Sequence, residues 1–140
     1  MIQGLWSTPL TKSGCSVLVP PGPWSYGLTG IGVYYNADPN DLRSVVPKPL
    51  DVSAEGEVFA YLVEIVSWSP KASEFNIETP DLVQYSEAAF FIKVKHNNTY
   101  YAYCPFMWVD KDLPLLRGLL VGWPKKLANI AITRLHRFPS

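Results

Sequence analysis

Cysteine and histidine are scarce in this chain, with two of each among 140 residues. Cys15 and Cys104 stand far apart and match no metal or redox spacing, so two buried or partly buried thiols are expected rather than a disulfide. His96 and His136 lie in unrelated segments, and no metal site is expected. Excess charge of either sign is also missing. Twelve basic residues balance twelve acidic ones, which leaves no overall field to draw in nucleic acid or anionic lipid. No apolar run approaches the ~20 residues that cross a bilayer, and Met1-Ile2-Gln3-Gly4-Leu5-Trp6 lacks the basic start and apolar stretch of a secretory leader. The expectation is a cytoplasmic protein with neither nucleic-acid nor membrane partners.

A hydrophobic content of 48% with 17% charged residues is that of a folded globular chain, and the length suits one domain spanning residues 1–140. Pro9, Pro20, Pro21 and Pro23 with Gly14, Gly22, Gly27 and Gly30 make residues 1–30 read as an extended arm rather than a core element. Ile31 to Tyr35 reads as a strand. Asp38-Pro39, followed by Asp41, suits a helix start, with a capping carboxylate and proline at the first helical position. Leu42, Val45 and Val46 give that helix an apolar side, and Pro47 and Pro49 stop it after about two turns. Glu57 to Trp68 is a long β-prone stretch interrupted by Glu64. Ser69 to Asp81 reads as a surface loop. Tyr85 to Lys95 and Tyr100 to Trp108 read as a hairpin joined by His96-Asn97-Asn98-Thr99. Asp110-Lys111-Asp112 caps a short helix through Leu120, with Pro114 in its first turn, and a glycine-proline loop and a strand from Asn129 to His136 follow. Strands outnumber helices and the connections are hairpin-like. The fold class is therefore mainly β with short helices (α+β), an antiparallel sheet curling toward a barrel.

The loop Gly122-Trp123-Pro124-Lys125-Lys126 carries the chemistry of interest. Lysine acts as a nucleophile only as the free amine, and with an ordinary pKa of about 10.4 few lysines are neutral at pH 7. Apolar burial or a nearby cation is needed to change that. Leu119-Leu120-Val121, Trp123, Leu127 and Ile130 supply an apolar lining. Adjacent side chains diverge in either regular conformation, so only one of the two amines is expected in a pocket. Taken alone, a Lys-Lys pair is most often an ordinary solvated turn.

The run Trp108-Val109-Asp110, Arg117-Gly118 and Gly122-Trp123-Pro124-Lys125-Lys126-Leu127-Ala128 resembles the signature segment of the acetoacetate decarboxylase family. Pro21-Gly22-Pro23-Trp24, the turn from Tyr35 to Asp38, Leu42 to Leu50 and Tyr85-Ser86-Glu87-Ala88 agree in order. The resemblance implies a largely antiparallel β-barrel, no cofactor, a homo-oligomer and a small β-keto acid substrate. It also implies that Lys125 forms a Schiff base, that Lys126 helps to lower its pKa, and that Glu87 is the catalytic glutamate. Activation by desolvation or a neighbouring cation is known of the family itself. Desolvation is the favoured cause for Lys125, with Lys126 nearer the surface or in an ion pair. Trp123, Glu64 and Arg117 are supporting candidates. Glu64 faces either the same cavity or outward, and a salt bridge to Asp110 or Asp112 is the preferred role of Arg117.

Two departures from the family bear on function. Its members carry an arginine shortly before the first strand that handles the substrate carboxylate, whereas Gly27-Leu28-Thr29-Gly30 stands here. They also continue well past the position of Ser140, so the barrel is expected to be incomplete. Decarboxylation through Lys125 is the leading expectation. Sister Schiff-base aldol or dehydration chemistry on another oxo acid, and a non-catalytic ligand-binding barrel or remnant, are the alternatives.

Overall fold

Alternation of β-prone residues over long stretches makes this chain a sheet, with Gly27, Gly30, Gly32 and Pro105 as the breakers that fall inside strands. The computed structural model describes residues 18–20, 22–71 and 73–133. In order these form β1 (Ser25–Asn36), α1 (Pro39–Arg43), β2 (Asp51–Val52), β3 (Glu57–Trp68), α2 (Phe75–Glu78), a 3-10 turn (Pro80–Leu82), β4 (Gln84–His96), β5 (Thr99–Val109), α3 (Asp112–Leu120) and β6 (Lys125–Leu127). The six strands make one sheet in the order β1-β3-β4-β5-β6, with β2 paired to β4.

Several expectations stand unchanged. β3 has the bounds read from the sequence. Asp38 caps α1 by accepting from the Asn40 N–H at 2.8 Å, with proline in the first turn. The β4–β5 hairpin turns at Asn97 and Asn98, both at positive φ, as a tight hairpin turn requires and asparagine tolerates.

Others are corrected. The end of the supposed arm, Ser25–Gly30, is the first half of β1, because its residues pair with β3 from Trp68 to Val63; most of the remaining arm lies outside the described residues. α1 is a single short turn rather than two. The supposed loop from Ser69 to Asp81 contains α2 and most of the 3-10 turn. Residues 129–133 are not a strand, and 134–136 lie outside the described residues. The last strand is instead β6, formed by the lysine pair itself. It runs parallel to β5, with Met107, Trp108 and Val109 facing Lys125, Lys126 and Leu127. The sheet is therefore mixed, and among the described residues it does not close into a barrel.

Register decides which side chains meet, because successive residues of a strand point to opposite faces. Tyr61 pairs with Ala89, Ala89 with Met107 and Met107 with Lys125. One rank further along, Val63, Glu87, Val109 and Leu127 are aligned. Val63, Ile65, Tyr85 and Val109 form a buried cluster, with Leu115 of α3 packed on it. This face, covered in part by α3, carries the site.

Candidate active site

Lys125 enters from the first position of β6, diagonal to Glu87 in the next rank. α3 ends where Gly122 takes a positive φ, a conformation open to glycine and costly for other residues. The closing turn is fastened by Trp123 N–H donating to the Gly118 carbonyl at 3.0 Å. That turn sends the chain back along β5, and the aliphatic stem of Lys125 passes directly over Gly118.

The Lys125 Nζ lies 2.6 Å from Glu87 Oε2, and the two side chains are 7% and 8% exposed. Tyr61 donates its hydroxyl to the other carboxylate oxygen, Oε1, at 2.5 Å. Burial foremost, and then the hydrogen bond to Glu87, push the Tyr61 phenol well above its usual value, so it remains a donor. The Lys125 Nζ also sits 5.7 Å from the centroid of the Tyr85 ring.

Arg117 of α3 is 5% exposed and reaches the same face. It donates to Tyr85 Oη at 3.0 Å and to Ser67 Oγ at 3.3 Å. Its guanidinium lies over the rings of Trp24 at 4.5 Å and Tyr26 at 5.2 Å. Burial pushes the Tyr85 phenol up, against the opposing pull of the Arg117 charge. The expected salt bridge to Asp110 or Asp112 does not form. Asp110 accepts from the Ser86 N–H and Asp112 from the Leu113 N–H, and among the described residues Arg117 has no carboxylate partner. Lys125, Glu87 and Arg117 line one cavity of about 290 Å³, together with Tyr61, Tyr85 and Trp123.

The remaining candidates divide by strand parity. Lys126 pairs with Trp108, points to the opposite face from Lys125 and is exposed. Glu64 pairs with Ser86 and lines a different cavity, on the reverse of the sheet from Glu87. It does not join the site. Met107 is buried in the wall beside Lys125. Tyr61 and Tyr85 were not anticipated, although their spacing from Val63 and Glu87 within alternating strands marks them as lying on the same face. No cluster of three metal-ligating side chains occurs among the described residues.

The acetoacetate decarboxylase family model matches residues 7–139. The chain belongs to the acetoacetate decarboxylase family. An acetoacetate decarboxylase of Paraburkholderia phytofirmans is 30% identical over 134 residues, covering 92% of this chain and 46% of that relative. Among solved structures, an acetoacetate decarboxylase-like enzyme from Sphingomonas wittichii RW1 matches with a TM-score of 0.82 and 32% identity, over 93% of this chain and 50% of the other. The enduracididine biosynthesis enzyme MppR, complexed with the condensation product of pyruvate and imidazole 4-carboxaldehyde, matches with a TM-score of 0.76 and 26% identity. That match covers 92% of this chain and 51% of MppR. The chain thus spans about half the length of the family members it matches. Its described part holds the mainly β, α+β architecture of those family structures, with few helices.

Proposed function

We propose that this chain provides a Schiff-base lysine site that decarboxylates a small β-keto acid through Lys125. The observation that carries the reading is the buried Lys125–Glu87 contact at 2.6 Å, inside a cavity that a carboxylate-free Arg117 also lines. A single proton moving from Lys125 to Glu87 leaves a free amine beside a carboxylic acid, without exposing an unpaired charge in the protein interior. The amine attacks the ketone carbon, and Glu87 returns the proton to the carbinolamine hydroxyl, which departs as water. The protonated imine then accepts the electron pair of the breaking carbon–carbon bond as carbon dioxide leaves. The enamine is protonated on carbon, and hydrolysis restores the lysine and releases the ketone.

Arg117 is the group in this cavity suited to hold the substrate carboxylate, since a guanidinium binds it through two parallel hydrogen bonds. It takes the place of the basic residue absent from Gly27 to Gly30. Tyr61 holds Glu87 in orientation through Oε1. We place the protein in the cytoplasm and expect it to work as a homo-oligomer.

The same imine on a 2-oxo acid would lead to aldol or dehydration chemistry, a second reading favoured by the likeness to MppR, a structure solved with pyruvate as well. Borohydride reduction in the presence of acetoacetate or pyruvate tests both. The expected result is a reduced adduct on the Lys125 peptide, absent in Lys125→Ala and retained in Lys126→Ala, with carbon dioxide released from acetoacetate. Glu87→Gln should lower the trapping rate by about 100-fold, the scale of losing a positioned acid-base group. Absence of any adduct with either acid defeats the proposal in both forms.

A further inference from the structure

The lysine cavity does not end at its own wall. Tyr61 and Phe91 line it, and both also line a larger neighbouring chamber of about 540 Å³. That second chamber is open to solvent and lined by further rings, Phe59 and the exposed Tyr34, Tyr100 and Tyr101 among them. The rings run on from the lysine side in unbroken contact. Trp123 meets Phe91 edge-on at 6.0 Å, Phe91 meets Phe59 at 6.4 Å, and Phe59 stacks on Tyr34 at 4.4 Å. Gly32 faces this row, where a Cβ would fall 2.9 Å from the Phe59 ring, so the glycine is what lets that ring lie flat against β1. The charged residues at the chamber, Lys93 and Glu57, are paired with each other at 2.7 Å and ask for no charged ligand.

We propose that the two chambers form one binding site, in which the outer chamber takes an aromatic ring carried by the same oxo acid whose carboxylate and carbonyl the inner chamber holds. The inner half of this assignment rests on the function proposed above. Charge and polarity are segregated in the way such a ligand requires. Arg117, Lys125 and Glu87 stand at one end, and a ring-lined apolar volume begins one side chain away. A volume of this order is typical of ligand pockets, and aromatic walls favour offset or edge-on contact with a bound ring. The substrate class is accordingly an aryl-substituted oxo acid rather than acetoacetate alone.

Binding of unreactive acids tests this without any imine chemistry. Dissociation constants are measured by calorimetry for ω-phenylalkanoates from phenylacetate to 6-phenylhexanoate, each against the matching alkanoate. At least one phenyl acid should bind tenfold or more tightly than its partner, the scale expected from burying a ring, and should do so in Lys125→Ala as well. Ala102, exposed on β5 and lining only the outer chamber, provides the blocking variant. Ala102→Trp should reduce the preference to less than threefold by filling the outer chamber. If no phenyl acid exceeds its partner threefold, or Ala102→Trp leaves the preference intact, the chamber is a packing surface and the proposal is overturned. A preserved aryl preference with no borohydride adduct would separate this result from failure of the lysine chemistry.

Discussion

A methyl group at position 118 would fall 2.5 Å from Cε of Lys125 and closer still to Cδ. The stem of the lysine is flexible and gives way to the methyl. Gly118→Ala should therefore push Nζ away from Glu87 and leave that carboxylate buried without its countercharge, a loss larger than the ~1 kcal/mol helix preference for alanine. The expected outcome is a lowered melting temperature with borohydride trapping slowed by at least tenfold, read by mass spectrometry of the Lys125 peptide. Cys104 offers a pH test on the same face. Burial pushes its thiol up to about 11, above the unfolded value of about 8.5. The sign follows from the folded state holding its proton more tightly: the contribution to stability is complete below about pH 8 and is lost as pH rises through about 11. Iodoacetamide should label the Cys104 peptide of the native chain at pH 8 at least tenfold more slowly than that of the denatured chain, with the rate climbing toward pH 11.

Elements with strong local signals were legible in the chain. β3 declared itself through a long run of β-prone residues on either side of Glu64, and α1 through Asp38-Pro39. The lysine strand did not, because three residues after a glycine-proline turn have no period of their own and become a strand only by docking on β5. Arg117 was misread for a related reason. Asp110 and Asp112 are near in sequence, but their carboxylates serve the Ser86 and Leu113 N–H groups. The true neighbours, Trp24, Ser67 and Tyr85, come from three distant segments. Lys125 and Glu87 were legible as a pair through family resemblance, and the opposite facing of Lys126 through side-chain alternation. β1 also hides a constraint. A Cβ on Gly30 would fall 2.6 Å from the Val63 Cα and nearer still to the Leu62 carbonyl oxygen, both backbone atoms that cannot step aside. Gly30→Ala is expected to cost about 1–3 kcal/mol by forcing β1 off β3, seen as a lower thermal midpoint. An unchanged midpoint would show that the strand pair has slack.

At the scale of the whole molecule, the sheet formed by the described residues ends on one side at β1, whose twelve residues are all exposed. Tyr34 is 82% exposed and Ile31 68%. A long edge strand carrying exposed apolar side chains is a template for pairing with more polypeptide. Self-association is the expected outcome, with light scattering giving a mass above the 15.7 kDa of one chain. Ile31→Lys combined with Val33→Lys should shift the population toward the monomer, since both side chains would carry charge into the contact. A chain that stays monomeric at high concentration would contradict the expectation of a homo-oligomer.

β6 has three residues, and past them the Ala128 N–H donates to the Val109 carbonyl at 2.8 Å. So short a strand opens by local unfolding more readily than the long strands at the centre of the sheet. Opening it would leave Glu87 buried without its countercharge, so the ion pair acts as a latch on the strand. The charge state of one nitrogen therefore sets how firmly the backbone beneath it is held.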